Sequence, residues 1–166
     1  MAYDLDLDEK GSYLIHIKKF FLYPDSWKDP NNKVPIKLNW KKIKFSELNK
    51  AKIPDKKGLY AFVLIPNVNS FFETRYLFYL GKTNRTLKIR YSEYISDKKG
   101  KGKPRPKVFQ MMKQYGNNLY FFYSEISKTN DVDTCEECLL NTFVPHVNTS
   151  IPEAKIKHEL KYIYEN

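Results

Sequence analysis

Two tyrosines, an arginine, a glutamate and an asparagine occur along this chain and could act together in acid–base, phosphate-binding and metal-binding chemistry. Tyr60 ends the motif G-L-Y and Tyr79 begins the motif Y-L-G, nineteen residues further on. Arg90, Glu136 and Asn148 follow downstream. A phenolate can act as a general base, a guanidinium can neutralise phosphoryl oxygens, and a carboxylate can bind a divalent metal. Together these residue types offer the base, the cationic clamp and the metal ligand of a hydrolytic site.

Each tyrosine lies in an apolar, aromatic run that predicts a β-strand. Residues 58–65 are apolar on both faces, as in a central strand, and residues 76–82 read as the partner strand of a hairpin. Residues 119–126 predict a third strand. We therefore expect an α+β fold in which a small, mainly antiparallel three-stranded sheet is flanked by helices.

Helices are predicted between and after these strands. One covers about residues 85–96, a second covers 108–115 and stops at Gly116, and a third carries Glu136. The candidate N-caps of the first and third helices are Thr83 or Asn84, and Asp133 or Thr134.

The order of these residues and elements resembles the GIY-YIG nuclease family. The resemblance implies that Tyr60 is the general base towards water and that Arg90 contacts the scissile phosphate. It also implies that Glu136 binds the catalytic metal, Mg²⁺ or Mn²⁺. By the same resemblance, Tyr79 orients water or phosphate beside Tyr60, and Asn148 closes the site.

Spacing distinguishes Glu136 from its neighbour Glu137. The family's glutamate precedes a proline by nine residues and an asparagine by twelve, and both Pro145 and Asn148 count back to Glu136. Helical periodicity agrees, because Glu136 would share one inward face with a set of apolar residues at i+3, i+4 and i+7. These residues are Leu139, Leu140 and Phe143.

Two further residues join the predicted site. Tyr94 lies one helical turn after Arg90, so the two side chains face the same way, and the family often carries histidine or tyrosine there. Lys82, directly after the second motif, would lower the pKa of the Tyr60 or Tyr79 phenol. Arg90 falls eleven residues after Tyr79, where compact members have ten, so Arg85 is the competing arginine.

The composition favours an anionic partner. The 166 residues carry a net charge of +10, with 42% hydrophobic and 16% aromatic residues, which fits one basic domain with a packed core. Residues 97–107 form a Gly/Pro-rich loop with a net charge of +5, and its cations could follow a nucleic-acid backbone. They are Lys98, Lys99, Lys101, Lys103, Arg105 and Lys107. The alternatives are a solvated loop and a charge that serves solubility alone.

The predicted nuclease core is flanked by one further segment on each side. We expect residues 1–57 to be an N-terminal extension that could supply target recognition, residues 58–148 the nuclease core, and residues 149–166 a C-terminal helix. Within the extension the sequence predicts a strand in 12–23, a loop over 25–35, an extended stretch over 36–40, and a short helix capped by Ser46 and ended by Pro54.

The sequence contains no feature that predicts a membrane or secreted location. No apolar run approaches a membrane span and the N-terminus does not read as a signal peptide, so we expect no membrane partner and a cytoplasmic location.

The two cysteines, Cys135 and Cys138, form one C-x-x-C pair. Two ligands are too few for a zinc site, so we interpret both cysteines as reduced residues on a helix.

These observations and the resemblance lead to one expected function. The chain would be a metal-dependent endonuclease acting on double-stranded DNA, of the site-specific restriction type, and it could dimerise to cut both strands. A nicking or structure-specific nuclease is the enzymatic alternative. A nucleic-acid-binding module without catalysis, relying on its basic surface and aromatic residues, is the alternative from another class.

Overall fold

A computed structural model describes residues 16–66, 74–101 and 105–148 of the chain. The strands are β1 (Lys41–Lys44), β2 (Gly58–Leu64), β3 (Tyr76–Thr83) and β4 (Leu119–Glu125). The helices are α1 (Pro24–Lys28), α2 (Leu87–Lys98), α3 (Pro106–Tyr115) and α4 (Thr129–Phe143), with 3-10 turns at Pro30–Asn32 and Glu47–Lys52. The fold is therefore α+β, as predicted.

The sheet has four strands in the order β1-β4-β2-β3, and every neighbouring pair is antiparallel. The predicted hairpin of β2 and β3 is confirmed, with Tyr60 opposite Gly81. The prediction of three strands is wrong by one, because β1 of the N-terminal extension pairs along β4, with Ile43 opposite Phe121. The lysines that surround Ile43 in β1 keep this outer strand polar, as is common at a sheet edge.

Helices cover both faces of the central strand β2. On one face, Tyr60 and Phe62 pack in a large aromatic cluster with residues of α2 and α3. On the other face, Leu59 and Ala61 pack against residues of α4. Because both faces are buried, the apolar residues of β2 do not alternate with polar ones, which explains why the segment is apolar throughout.

A bulge in β3 turns two consecutive aromatic residues toward the same cluster. The register passes from Phe62 opposite Tyr79 to Val63 opposite Leu77, so Phe78 opposes no residue of β2. Phe78 and Tyr79 are both buried in the aromatic cluster. The extra residue is thus what brings Tyr79 onto the face of Tyr60 while Phe78 stays in the core.

The N-terminal extension differs from its predicted elements. Residues 16–23, the described part of the predicted strand 12–23, contain no strand, and the predicted loop over 25–35 includes α1 and a 3-10 turn. The extended stretch expected at 36–40 contains no strand, and β1 follows it at Lys41–Lys44. The short helix after Ser46 is confirmed as the 3-10 turn Glu47–Lys52. Residues 149–166, predicted as a helix, lie outside the described residues.

Two helix starts also differ from prediction. Helix α2 begins after Thr86, whose hydroxyl accepts a hydrogen bond of 3.2 Å from the backbone N–H of Ile89. Thr83 cannot take that role because it is the last residue of β3. Helix α4 begins at Thr129, so the predicted caps Asp133 and Thr134 lie inside it.

The N-terminal extension is held to the core by two buried apolar side chains and by hydrogen bonds from a tyrosine of α2. Phe45 and Ile53 are buried in the aromatic cluster. The hydroxyl of Tyr91 on α2 donates to the carbonyl of Ser46 at 2.7 Å and accepts from its N–H at 2.9 Å. Within the described part of the chain, no helix has the length and apolar character needed to cross a membrane.

Candidate active site

Tyr60 is the centre of the site on the α2 side of the sheet. Its ring is 1% exposed and stacks on Phe121 with 5.5 Å between ring centroids. Its hydroxyl lies 3.0 Å from the hydroxyl of Tyr94 and accepts a hydrogen bond of 3.0 Å from Nε of Arg90. Strand β2 and helix α2 thus bring together three residues that the sequence predicted for one site.

The glycine of the second motif makes room for this arrangement. A Cβ atom at Gly81 would lie 2.6 Å from the Tyr60 hydroxyl oxygen and 2.7 Å from its ring. Gly58 of the first motif is restricted in the same way, because its Cβ would lie 2.0 Å from the carbonyl oxygen of Ser124 on β4. Both glycines are therefore needed for close approach of neighbouring groups.

A second arginine reaches the cluster from the basic loop. One Nη atom of Arg105 donates to the Tyr79 hydroxyl at 2.7 Å, and the other donates to the Tyr94 hydroxyl. The sequence predicts Arg105 only as one of several loop cations that contact a nucleic-acid backbone. Its position directly before Pro106, the first residue of α3, gives it an extended backbone that turns the side chain toward β3. No periodicity in the sequence indicates this contact.

Arg90 is held from its other side by an acidic residue. Its Nη1 atom lies 2.8 Å from Glu93, which also binds Arg85 at 2.7 Å. The guanidinium of Arg90 additionally lies over the Tyr94 ring at 4.9 Å. The described contacts therefore place Arg90, and not the competing Arg85, at the tyrosines.

Burial and charge act in opposite directions on these groups. Burial raises the pKa of Tyr60 to about 12, although Arg90 and the hydrogen bond from Tyr94 oppose the shift. Burial also raises the pKa of Tyr94 well above its usual value. For Arg90 and Arg105, burial disfavours the charged form, but the neighbouring tyrosines still raise the pKa of each guanidinium. At neutral pH the tyrosines Tyr60 and Tyr94 are neutral and both arginines are charged, so the cluster attracts anions.

Lys82 lies on the opposite face of the sheet from Tyr60. Lys82 pairs with Leu59 in the register, and its ammonium contacts Asp133 at 2.9 Å and Glu136 at 3.0 Å. Burial opposes its charge, yet these two carboxylates raise the pKa of Lys82. We had expected Lys82 to lower the pKa of a phenol, and its contacts correct that expectation. The cations that contact the phenols are arginines.

The two acids that bind Lys82 lie with it on the opposite face of the sheet from the tyrosine cluster. Asp133 and Glu136 lie three residues apart on α4, so their side chains are neighbours on the helix surface. Two carboxylates that converge on one cation are a ligand set that Mg²⁺ or Mn²⁺ accepts. The residues present therefore fit a divalent metal with two protein carboxylates. Among the described residues there is no group of three or more histidine, cysteine, aspartate or glutamate side chains arranged for a metal.

The sequence missed Asp133 as a candidate ligand and misjudged the inward face of α4. Asp133 was interpreted as a helix cap, although its i, i+3 spacing to Glu136 was visible. Phe143, expected to face inward, is 41% exposed, whereas Val132 and Cys135 are fully buried. Phe143 is the last residue of α4, whereas Val132 and Cys135 lie in its first half, where the helix packs against β2.

Asn148 fixes the free edge of β3. Its Oδ1 atom accepts from the N–H of Leu80 at 2.9 Å, and its Nδ2 donates to the Leu80 carbonyl at 2.7 Å. The next contact along the edge is the N–H of Val147, which donates to the Phe78 carbonyl at 2.8 Å. Asn148 thus holds the strand that carries Tyr79, Gly81 and Lys82, and its amide is occupied by backbone.

The remaining loop cations have separate environments. Lys99 pairs with Glu47 at 2.7 Å, and Lys98 lies 5.9 Å from the Phe45 ring centroid. Lys101 is exposed, and Lys107 lines a small cavity beside α3. Lys103 lies outside the described residues. Helix α2 continues to Lys98, so the loop begins later than predicted. Its role in nucleic-acid binding stays a prediction.

The chain was also compared with known proteins. No protein-family model, curated protein or solved structure matches it.

Proposed function

We propose that this protein is a metal-dependent endonuclease of the GIY-YIG type that hydrolyses phosphodiester bonds in double-stranded DNA. The observation that carries the proposal is the convergence of three tyrosine hydroxyls and two guanidiniums in one cluster. Two arginines suit a phosphate because each presents several N–H donors in a fixed plane. The net charge of +10 supports a polyanionic substrate.

In this proposal the two arginines bind the scissile phosphate. Arg90 and Arg105 exchange part of their tyrosine contacts for phosphoryl oxygens and neutralise the charge that develops there. Glu93 limits how far Arg90 can move, because it holds the same guanidinium. Tyr79 and Tyr94, once released by Arg105, can donate hydrogen bonds to the phosphate or to the attacking water.

Tyr60 can accept a proton from the attacking water only after water and substrate reach its buried hydroxyl. Its phenolate is disfavoured at neutral pH mainly because the hydroxyl is cut off from solvent. Entry of water and substrate removes that cost, while the N–H of Arg90 still stabilises the phenolate oxygen. The proposed mechanism therefore couples activation of the base to substrate binding.

The carboxylates on the other face would hold the metal. Glu136, with Asp133 beside it, would bind Mg²⁺ or Mn²⁺ in place of the Lys82 ammonium. The metal, when bound, would supply positive charge to polarise the phosphate and stabilise the leaving oxygen. Strand β3 lies at the sheet edge, and Gly81 and Lys82 are adjacent on it. A substrate phosphate at that edge could therefore reach both halves of the site.

Supercoiled plasmid provides the test. The wild-type protein should convert it to linear or open-circular DNA with Mg²⁺ or Mn²⁺ and stop with EDTA. Linear product from single binding events would support a restriction-type enzyme acting as a dimer, whereas open circles alone would support a nicking enzyme. No cleavage with either metal on plasmid, phage or branched DNA would contradict the proposal.

A binding module without catalysis is the second candidate. The observation that favours it is the deep burial of Tyr60 together with the pairing of Glu136 to Lys82, because both groups are engaged within the protein. Such a module would bind DNA with a salt-dependent affinity and cleave nothing. Arg90→Ala would then weaken DNA binding, and neither the wild type nor the variant would cleave DNA.

A further inference from the structure

One edge of strand β1 points away from the sheet. Among the strands that the structure describes, β1 is the outermost and lies next to β4. The N–H of Phe45 donates to the carbonyl of Leu119 at 2.9 Å, which fixes the phase of the antiparallel ladder. Because backbone groups alternate in direction along a strand, Ile43 directs its N–H and carbonyl toward β4. Lys42 and Lys44 therefore direct theirs toward the outer edge.

The residues with outward backbone groups are also exposed cations. Lys42 and Lys44 are both exposed. The carbonyl of Lys44 accepts a hydrogen bond of 2.9 Å from the side-chain amide of Asn49. Side chains alternate between the two faces of a sheet, and Ile43 packs against the aromatic cluster, so the two lysines project from the opposite face. The outer edge of β1 thus has the pattern cation, apolar, cation.

The same chain contains a segment with the complementary pattern. Residues 4–8 have the sequence D-L-D-L-D, in which aspartates and leucines alternate with the period of a β-strand. Residues directly opposite each other in paired strands share a face. If aspartates were opposite Lys42 and Lys44, a leucine would be opposite Ile43. The match holds in either strand direction, because the pattern is symmetric. Residues 4–8 lie outside the described residues, so the match is one of sequence.

The first described residue lies close to one end of β1. Nδ1 of His16 is 3.3 Å from the hydroxyl of Tyr115, the last residue of α3. Four residues after Tyr115, Leu119 bonds to Phe45, which directly follows β1. Seven residues separate Asp8 from His16, and a chain of that length spans about 24 Å when extended. The chain is therefore long enough for its own acidic segment to reach the edge of β1.

We propose that residues 4–8 of this chain bind the outer edge of β1 in extended form, with aspartates beside Lys42 and Lys44. Such binding takes its affinity from main-chain hydrogen bonds and its specificity from the alternating side chains. Lysines on an outer strand oppose pairing with a second lysine-rich strand, whereas opposite charges across a strand pair favour it. The edge therefore selects an acidic strand over β1 of another copy. This interaction does not depend on nuclease activity.

Hydrogen exchange at single amides, followed by NMR on the full chain, tests the interaction. One exposed ion pair contributes little to the free energy of unfolding, so unfolding is not the readout. In the wild type, the N–H groups of Lys42 and Lys44 should exchange slowly although they point away from β4. Replacement of all three aspartates should speed their exchange about tenfold or more: Asp4→Lys, Asp6→Lys and Asp8→Lys. The amide of Ile43, which points toward β4, should keep its rate and so report that the sheet is folded.

Exchange of the charges distinguishes a specific contact from a general effect of net charge. Lys42→Glu combined with Lys44→Glu should also speed exchange at these two positions, after correction for intrinsic rates. Joining these two substitutions to the three aspartate substitutions should restore slow exchange. The matched control makes the same charge change at three acids of α1 and α4: Asp25→Lys, Asp131→Lys and Glu137→Lys. Equal loss of protection in this control would overturn the proposal.

Protein concentration distinguishes the chain's own segment from that of a second copy. Exchange rates that do not change with concentration would support the chain's own segment. Protection that rises with concentration, together with a dimer in analytical ultracentrifugation, would overturn that assignment. Fast exchange of Lys42 and Lys44 in the wild type, or slow exchange that survives the aspartate substitutions, would overturn the interaction itself. None of these measurements involves cleavage of DNA, so their outcome is separate from that of the proposed function.

Discussion

The hydroxyl of Tyr60 receives more polar contacts than a tyrosine in an ordinary aromatic core requires. It is bound by Tyr94 and by Arg90, and both partners are themselves buried or half-buried. In our proposal this hydroxyl is the general base, and its contact with the Arg90 guanidinium is what distinguishes Tyr60 from the rings that only stack around it.

Replacement of Tyr60 by phenylalanine removes only that hydroxyl. We expect cleavage to fall at least a hundredfold, in line with the loss of a general base, while DNA affinity changes little because both arginines remain. Plasmid cleavage and fluorescence anisotropy measure the two properties. Tyr23→Phe, at an exposed tyrosine of the N-terminal extension, is the control. Cleavage by Tyr60→Phe at the wild-type rate from pH 6 to pH 9 would exclude the base role.

Gly81→Ala tests whether the tyrosine cluster needs the space that Gly81 leaves beside Tyr60. The added Cβ would meet the ring and hydroxyl of Tyr60 at 2.6 to 2.7 Å, and the ring cannot move far because Phe121 stacks on it. We expect a loss of about 1–3 kcal/mol in the free energy of unfolding, measured by urea denaturation, and weaker cleavage at temperatures where the variant is folded. Gly100→Ala is not a matched control because Gly100 has a positive φ of 71°. Lys42→Ala, at an exposed position of β1 in the same sheet, is a better one.

The sequence predicted that Arg90 and Tyr94 join Tyr60 in the tyrosine cluster, but it did not predict the contacts of Arg105 and Lys82. The helical spacing of Arg90 and Tyr94 placed both on one face, and the structure confirms that they meet at Tyr60. Arg105 was not predicted there because a loop residue has no periodicity that reveals its contacts. Lys82 was assigned to the wrong partners although strand alternation already places it on the opposite face from Tyr79, three residues earlier in β3.

At the scale of elements, α4 presents two acids to one lysine of β3. Asp133 and Glu136 hold the Lys82 ammonium between them. In the proposed metal site, a lysine in this position would compete with a divalent cation for the same carboxylates, so its affinity for them would set how tightly the metal binds. The hydrogen bond from Lys82 also lowers the pKa of Asp133, which keeps that carboxylate ionised and available.

Metal binding can be measured without any DNA. We expect Glu136→Gln to weaken Mn²⁺ binding at least tenfold and Lys82→Met to strengthen it about fivefold by removing a competing charge. Calorimetry or Mn²⁺ electron paramagnetic resonance gives the affinities. Glu137→Gln and Lys57→Met are the controls, since Lys57 is held against α4 by the Thr129 hydroxyl instead of a carboxylate. Equal effects of Glu136→Gln and Glu137→Gln would remove Glu136 from the site.

Tyr91 connects the N-terminal extension to α2 with two hydrogen bonds to the Ser46 backbone. Tyr91→Phe leaves both backbone groups without that partner, and we expect a loss of about 1–3 kcal/mol in the free energy of unfolding. Urea denaturation measures this, again with Tyr23→Phe as the control. A loss within experimental error would mean that water replaces the hydroxyl.

The elements that sequence predicted best are those defined by local pattern. The apolar runs of β2, β3 and β4 and the short helix after Ser46 all appear where expected. Strand β1 was missed because Ile43 is the one apolar residue among three lysines, and its pairing with β4 joins residues far apart in sequence. The start of α4 was missed because its first turn contains polar residues that resemble a loop.

At the scale of the whole molecule, the lysines of the basic loop differ in how closely an acid pairs with them. Lys99 is paired with Glu47, whereas Lys101 is exposed. If the loop follows a DNA backbone, Lys101→Gln should reduce the slope of log affinity against log salt by about 0.9. Lys99→Gln should reduce it less, because Glu47 already offsets that charge. Combined replacement of Lys98, Lys99, Lys101 and Lys103 by glutamine should lower affinity without moving the cleavage sites.

The free energy of unfolding above pH 10 depends on the buried Tyr60 hydroxyl. Burial raises the pKa of Tyr60 from 10.0 to about 12, so between these values the unfolded chain has lost the proton that the folded protein still holds. Stability therefore falls as pH rises above 10. From the linkage of one group, the loss attributable to Tyr60 reaches about 1 kcal/mol by pH 11.

Urea denaturation of wild type and Tyr60→Phe between pH 9 and pH 11 measures this loss. The variant begins from a different stability, so the comparison is between slopes against pH and not between absolute values. We expect a shallower decline in Tyr60→Phe and an unchanged one in Tyr23→Phe, whose ring is exposed at the surface. Parallel declines in all three proteins would mean that the Tyr60 hydroxyl reaches solvent in the folded state. Its phenolate could then form without substrate, and activation of the base would not need substrate binding.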